Sequence, residues 1–404
     1  MAADFGGAPI EEVGAPATTR VRRMRVLMVL ESDFSRRLGG GAESQVRTLA
    51  RHLIRTGHPV AVMTPLLAHS PPRAADRCFG VPVARLRYPR WPVVGAGLMC
   101  LRLAAFLLGR GRRYDAWHVH IAHHMGAVTC LVGALLRKPV VVKVSGWWEL
   151  EKGVMAPSRG LLDALAYRLL KRGAVFQAIS SRIATELERQ GVPADRIVVL
   201  PNAVDTARFH ANRLPRPAGA PFTAVFVGRL VPEKGLDVLL DAWARAFPAR
   251  GVARLRLVGD GPLEQPLREQ ARRLGIADDV ELLGRQERVE DFLATSDAGV
   301  LPSKIEGLSN TLLEFMASGL PTLASRVSGS EDFVAPGRNG WLHAAGDVEA
   351  LAADLRDAAE LPSQKLREMG VAARADVERM SALESVVGRL LVLYRGGAPA
   401  QAKE

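Results

Sequence analysis

Two carboxylates with seven residues between them carry the first chemical signal. Glu306 and Glu314 bound the segment Glu306-Gly-Leu-Ser-Asn-Thr-Leu-Leu-Glu314, just after an apolar run that ends near Leu301. A helix is expected from about Ser309 to Ser318, stopped by Gly319-Leu320-Pro321. Glu306 then precedes a helix N-terminus, and Glu314 lies roughly one turn inside it. Ionised carboxylates only accept hydrogen bonds, so two at different depths could grip two sets of hydroxyls, such as a sugar ring and a ribose. The backbone N–H groups of Ser309, Asn310 and Thr311 at that terminus suit a diphosphate. The plainer alternative has Glu306 capping the helix and Glu314 in solvent.

A second segment, Gly228-Arg-Leu-Val-Pro-Glu-Lys-Gly235, follows the run Thr223–Val227 and opens the next helix. It places Arg229 and Lys234 in one strand-to-helix loop. Arg takes a phosphate bidentately and Lys adds a mobile point charge, so the pair could neutralise a leaving diphosphate. Gly259-Asp-Gly-Pro262 follows a further strand, where Gly259 permits close approach to a ligand or makes a plain tight turn.

Gly39, Gly40 and Gly41 form a glycine loop before the first helix. The loop is not G-x-G-x-x-G, and Thr64 and Pro65 stand where a dinucleotide-binding domain would end its second strand with an acid. A dehydrogenase is therefore disfavoured. His118 and His120 share one face of the strand Ala116–His120. His120 is nearest the carboxyl end, where it could orient a reacting hydroxyl or handle its proton. His123 and His124 follow. No metal site is expected, because no cysteine or carboxylate cluster accompanies these histidines in the sequence.

The elements that position these residues alternate. Met24–Leu30, Val60–Thr64, Val83–Leu86, Ala116–His120, Val140–Val144, Val175–Ile179 and Ile197–Leu200 read as strands, as do Thr223–Val227, Arg254–Val258, Val280–Leu283, Ala298–Leu301 and Pro321–Ala324. Ala42–Thr56 and Gly235–Phe247 have helical spacing, and so does Ser363–Tyr394. Strands alternating with helices make parallel sheets, so the fold class is α/β: two doubly wound Rossmann-like domains facing across a cleft. The expected division is a disordered tail (1–21), a first domain (22–200), a proline-rich linker (201–221) and a second domain (222–375). A final helical stretch (376–404) should pack back toward the first domain.

The formal charge of +12 is uneven. Residues 1–200 carry 29 Lys and Arg against 14 Asp and Glu, while residues 201–404 carry 25 against 28. The first half is thus suited to an anionic partner, with an anionic membrane surface favoured over nucleic acid. Tyr88–Arg113 mixes an apolar run with Arg90, Trp91, Arg102, Arg110, Arg112 and Arg113. Its apolar stretch is too short to span a bilayer, so it either lies on a membrane surface or packs on the sheet. Cys78, Cys100 and Cys130 match no disulfide or metal spacing, and the N-terminus shows no signal-peptide core. A cytoplasmic protein, peripheral on the inner membrane face, is expected.

Taken in order along the chain, these segments resemble the retaining glycosyltransferases of family four, which have the GT-B fold. The likeness runs from about Met24 to the C-terminal helix. It rests on Glu306 and Glu314, on Gly228-Arg-Leu with Glu233-Lys-Gly235, and on Gly259-Asp-Gly-Pro262. Gly40-Gly-Ala-Glu43, the strand ending at His120 and Pro201-Asn-Ala-Val-Asp205 support it.

The resemblance implies a glycosyltransferase of the hexosyltransferase type. It would move a sugar from a nucleotide donor, UDP- or GDP-linked, to an acceptor hydroxyl with retention. The charge of the first half, not the resemblance, points to a lipid-linked or other anionic acceptor. No resident cofactor or catalytic metal is implied, and the setting would be cell-surface polysaccharide or glycolipid synthesis. Arg229 and Lys234 would bind the diphosphate, Glu306 the donor sugar and Glu314 the ribose. Gly39 to Gly41 would close over the phosphates, and His120 would sit beside donor sugar and acceptor.

Two positions depart from the pattern. Ser145-Gly146 stands where many relatives have His-Gly, and Gly-Leu-Ser-Asn follows Glu306 where many have Gly-Phe-Gly. A nucleotide-sugar epimerase of the same fold and an inactive membrane-associated assembly partner are the competing readings.

Overall fold

The computed structural model describes residues 23–35, 40–67, 75–89, 91, 94–156, 160–210, 217 and 219–397. The expected tail (1–21), Gly39, Arg90 and the middle of the linker lie outside the described residues.

Eight strands form the first sheet: β1 (Val26–Val29), β2 (Val60–Pro65), β3 (Ala75–Cys78), β4 (Val81–Leu86), β5 (Ala116–Val119), β6 (Val140–Val144), β7 (Val175–Ala178) and β8 (Ile197–Val199). They run in the order β3-β4-β2-β1-β5-β6-β7-β8, parallel except for β3, which pairs antiparallel with β4. Six strands form the second: β9 (Phe222–Val227), β10 (Ala253–Val258), β11 (Val280–Leu282), β12 (Ala298–Leu301), β13 (Thr322–Ser325) and β14 (Gly340–His343). Their order is β11-β10-β9-β12-β13-β14, all parallel. The central strands are buried at every position because helices cover both faces, hence their largely apolar runs, with Lys143 in β6 and Thr322 and Ser325 in β13 as polar exceptions.

The expectation from periodicity missed β3 and β14, and both are edge strands. β3 reads Ala-Asp-Arg-Cys and β14 opens on Gly340. An edge strand is covered on fewer sides, so its sequence need not be a continuous apolar run.

Strand order reverses between β1 and β5 in the first sheet, and between β9 and β12 in the second. A doubly wound sheet opens a crevice at such a reversal, beyond the carboxyl ends of its strands. Four loops meet there: those after β1 and β5 on one side, and those after β9 and β12 on the other.

The long C-terminal helical stretch is two helices, Ser363–Ser381 and Leu383–Tyr394. Ala382 breaks it with an extended ψ of 136°, and the carbonyls of Ser381 and Val204 accept from Val204 and Leu383 at 2.9 and 3.1 Å. The segment around Val204 is therefore an ordered crossing held beside the returning chain, not a loose linker. The last helix packs Leu383, Val386, Val387, Leu390 and Tyr394 with Val26, Met28 and Leu30 of the first sheet. Leu390 is fully buried in that cluster. Leu390→Ala should therefore destabilise the first domain by about 2–5 kcal/mol, the usual cost of emptying a core leucine site. Urea unfolding followed by tryptophan fluorescence measures it; a cost under about 1 kcal/mol would mean that the site collapses or the helix contributes little.

Candidate functional site

The reversal in the second sheet brings together residues seventy positions apart. The loop after β9 carries Arg229 and Lys234, and the loop after β12 carries Glu306. β9 and β12 are paired neighbours, so the two loops leave the sheet side by side. Lys234 Nζ makes an ion pair and hydrogen bond with Glu306 Oε1, and Ser303 Oγ donates to the same oxygen at 2.9 Å. Gly235 lets the loops come this close. Its φ is +65°, and a Cβ there would lie 2.1 Å from the Pro302 carbonyl oxygen. Arg229 is exposed on the cleft wall and makes no ion pair among the described residues.

Gly259 serves packing as much as binding. Its φ is +146°, and a Cβ would fall 1.8 Å from Gly228 O, so a side chain would push the loops after β9 and β10 apart. Both glycines and Arg229 line a cavity of about 560 Å³ with Arg285 and Gln286. A cleft of about 660 Å³ adjoins it, sharing Gly40, Glu43, Gly228 and Arg229. That cleft is lined by Gly41, Lys234, Glu306, Ser309, Asn310, Thr311 and Glu314. Every site residue expected from the sequence therefore borders this space, apart from His120 and the undescribed Gly39.

Ser309 is the N-cap of helix Asn310–Ala317, so the first N–H groups of that helix have no acceptor within it. Glu314 lies one turn in, partly buried. Burial pushes its carboxyl up to about 7, opposed by Arg208 and Arg47. A carboxyl raised in this way is poised for hydroxyl partners more than for an added anion.

Asn310 does something the sequence did not indicate. Its side-chain Nδ2 donates to Gly41 O at 3.0 Å, and its Oδ1 accepts from Gln45 at 3.0 Å and Asn202 at 2.8 Å. One amide therefore joins the second domain to the first-domain helix Gly41–Arg55 and to the chain crossing. Asn202 lay within a motif already singled out; nothing in the sequence marked Gln45. A second seam lies nearby, where Ser180 and Ser328 hydroxyls meet at 2.8 Å and Asp332 accepts from Ser181 N–H at 2.8 Å.

The opposite wall is built by Ser145, Gly146, Trp147 and Trp148 after β6. Glu149 shapes it from beneath. The buried carboxylate accepts from Ala122 N–H at 2.7 Å, from Ser145 N–H at 2.7 Å and from Ser145 O–H at 2.5 Å. Ser145, standing where a histidine was expected, is thus turned toward Glu149.

His120 must be corrected. It is fully buried, stacked with His118 at 4.1 Å between ring centroids, and it does not line the cleft. Burial, with His118 and Lys143 beside it, holds the ring well below its ordinary pKa. The alternation that put both histidines on one face was sound, but that face is covered by helix Leu383–Tyr394, whose Tyr394 OH bonds His118 at 2.7 Å. Lys143, on the same face, lines the cleft instead. Beside the later histidines, which no cysteine or carboxylate cluster accompanies in the sequence, folding brings Glu31 to His123 at 2.8 Å.

Comparisons with known proteins agree with this geometry. Residues 39–208 match the model described as Glycosyltransferase Family 4, and residues 221–360 match the model for glycosyl transferases group 1. The chain belongs to the family-four glycosyltransferases. It is 33% identical over 219 residues to the putative colanic acid biosynthesis glycosyltransferase WcaL of Salmonella typhimurium, covering 52% of this chain and 53% of that one. The match thus spans about half the length of that relative. A GDP-mannose-dependent alpha-mannosyltransferase of Mycolicibacterium smegmatis is 28% identical, covering 91% of this chain and 98% of its own.

Among solved structures, HepE of Anabaena with bound UDP superposes with a TM-score of 0.72 at 20% identity, covering 91% of this chain and 98% of that one. WaaG, described as a glycosyltransferase of lipopolysaccharide biosynthesis, gives 0.69 at 18%, covering 92% of this chain and all of its own. The fold is GT-B.

Asn310→Ala should loosen the two domains. It removes three hydrogen bonds worth roughly 1 kcal/mol each, and leaves buried Gln45 and Asn202 short of a partner. The expected result is a larger radius of gyration by small-angle scattering and an unfolding transition that splits in two. An unchanged scattering profile with a single transition would place the domain coupling elsewhere.

Proposed function

We propose that this chain transfers a glycosyl group from a nucleotide sugar to an acceptor hydroxyl with retention of configuration, in the building of a cell-surface polysaccharide or glycolipid. The observation that carries the reading is the Lys234–Glu306 pair at the second sheet's reversal, with Arg229 free on the same wall. As the anomeric C–O bond to the diphosphate breaks, negative charge grows on the phosphate oxygens. Lys234, Arg229 and the first N–H groups of helix Asn310–Ala317 are the groups fixed in place to receive it. Glu306 is then available to the donor sugar's hydroxyls and Glu314 to the ribose. Gly40 and Gly41 face these groups from the other domain. Side-chain cations take the part of a metal at the diphosphate, so donor binding is proposed to be metal-independent.

The donor is proposed to be UDP- or GDP-linked. HepE was crystallised with UDP and UDP-glucose, and a relative is named for GDP-mannose. A thermal-shift panel of UDP, GDP and their sugars, with and without chelator, selects the base, because a ligand bound only by the folded state raises apparent stability. Lys234→Ala and Arg229→Ala should each lower turnover of the selected donor by about 10²–10³, or roughly 2.7–4 kcal/mol of transition-state energy. Near-normal rates in both variants would remove the donor-site assignment.

The first domain is proposed to dock on an anionic membrane leaflet, where it would reach a lipid-linked acceptor. Helices Val94–Leu108, His124–Leu136 and Leu161–Gly173 lie side by side on one face of the first sheet. They expose Leu101, Leu131, Leu135, Leu161, Leu162 and Leu165, with Leu161 92% exposed. Arg102, Arg110, Arg112, Arg113, Arg137 and Arg168 are exposed on or beside the same helices. An apolar face rimmed by arginine fits an anionic bilayer better than open water. No helix among the described residues is long and apolar enough to cross a membrane. Each arginine near such a surface is worth about 1 kcal/mol, so several give reversible, salt-sensitive attachment. Co-sedimentation with phosphatidylglycerol vesicles, but not with neutral ones, is expected, and it should weaken when Arg110, Arg112 and Arg113 become Ser. Equal pelleting on both vesicle types, or none on either, would favour a water-soluble acceptor.

A further inference from the structure

The reversal in the first sheet gathers side chains just as the reversal in the second does. Glu31 leaves β1, and His123 and His124 leave β5, where helix His124–Leu136 begins. β1 and β5 are paired in parallel register, so the three residues emerge together although ninety positions separate them. His123 Nδ1 lies 2.8 Å from Glu31 Oε1 and 3.2 Å from His124 Nδ1. One ligand-type atom from each of the three falls within 4.8 Å of the others. Tetrahedral zinc, with bonds of about 2.0–2.1 Å, holds neighbouring ligand atoms about 3.3 Å apart. Two of the separations, 2.8 and 3.2 Å, are close to that spacing, and the third is within 4.8 Å.

The groups behind the cluster point the same way. Asp163 Oδ1 lies 3.0 Å from His124 Nε2. That contact favours the imidazole proton on Nε2, which would leave the Nδ1 lone pair toward the cluster, as outer carboxylates do for zinc-bound histidines. Met125 N–H donates to Glu31 Oε2 at 2.9 Å, which fixes the carboxylate and turns Oε1 inward. Two of the three ligands are thus oriented by partners that do not themselves join the cluster. The side chains are 15–35% exposed, so an ion can enter from solvent.

We propose that Glu31, His123 and His124 form a binding site for a zinc-class divalent cation on the first-domain side of the cleft. Two imidazoles and one carboxylate favour zinc, nickel or cobalt over magnesium, which prefers oxygen ligands throughout. Three protein ligands leave a coordination position open, the arrangement of an ion that can take a further oxygen ligand. The site adjoins the wall opposite the diphosphate cations: the His123 ring lies 6.4 Å from that of Trp148, a residue lining the cleft. It is separate from Lys234 and Glu306 and does not alter the metal-independent reading of the donor site.

The test is isothermal titration of tag-free full-length protein, stripped with chelator, with zinc sulfate and in parallel with magnesium chloride. One zinc per chain and no magnesium are expected. His124→Ala and Glu31→Gln should weaken zinc by at least about tenfold, and Asp163→Asn by about 10–100-fold, the usual effect of removing an outer partner. Zinc should also shield His123 and His124 from diethyl pyrocarbonate in the unmodified protein, a readout that needs no substitution. Absence of a saturable zinc site, zinc binding untouched by all three variants, or equal histidine modification with and without zinc would each overturn the assignment. Nucleotide affinity, measured in the same samples, separates the two readings. Zinc bound without UDP or GDP leaves this site standing and counts against the donor site alone.

Discussion

The side-chain amide of Asn310 is where the two halves of the molecule depend on each other. It belongs to the second domain, yet all three of its hydrogen-bond partners lie in the first domain or in the crossing between them. Two of those partners, Gln45 and Asn202, are buried, so their polar groups need acceptors inside the protein. Satisfying them fixes helix Gly41–Arg55 against helix Asn310–Ala317. That in turn sets the width of the cleft between Gly40 and Gly41 on one side and Lys234 and Glu306 on the other. The same residue that begins helix Asn310–Ala317 therefore also holds Gly41 of the first domain in front of it.

The cleft is asymmetric in charge as well as in shape. On the second-domain wall, Lys234 is neutralised by Glu306, while Arg229 makes no ion pair among the described residues. A preformed ion pair keeps both side chains in place before a ligand arrives; on the proposed reading the lysine would then turn to phosphate and the carboxylate to sugar hydroxyls. On the first-domain wall the ordering group is Glu149, a buried carboxylate whose acceptor capacity is taken up by Ala122 and Ser145. It holds the Ser145–Trp148 turn against the loop after β5, so the wall is rigid where substrates would meet it. Arg102, Arg110, Arg112, Arg113, Arg137 and Arg168 lie away from both walls, on or beside helices Val94–Leu108, His124–Leu136 and Leu161–Gly173.

Much of this was legible in the sequence. Buried parallel strands must be apolar on both faces, so the runs now seen as β1, β2, β4 to β8 and β9 to β13 announced themselves, and their alternation with helices fixed the fold class. The donor-side loops were legible for a related reason. A ligand at the end of a strand needs glycine where the backbone turns tightly and charge where phosphate would sit. Both requirements fall on consecutive residues, as at Gly228–Gly235 and Glu306–Glu314.

Other features depended on what packs where, which no local pattern records. Alternation placed His118 and His120 on one face correctly, but only tertiary structure covered that face with Leu383–Tyr394 and took His120 out of the cleft. The break at Ala382 exists because Val204 pairs with it, and the edge strands β3 and β14 are strands only because β4 and β13 are there to bond them. Gln45 meets Asn310 across 265 positions, and Glu31 meets His123 across 92. The sequence by itself determined which backbone elements form and which loops carry charge and glycine, because these follow from short-range sterics and the period of burial. Tertiary structure alone decided which polar groups face each other, because a hydrogen bond or ion pair depends on positions that only the closed sheets and the double crossing bring within 3 Å.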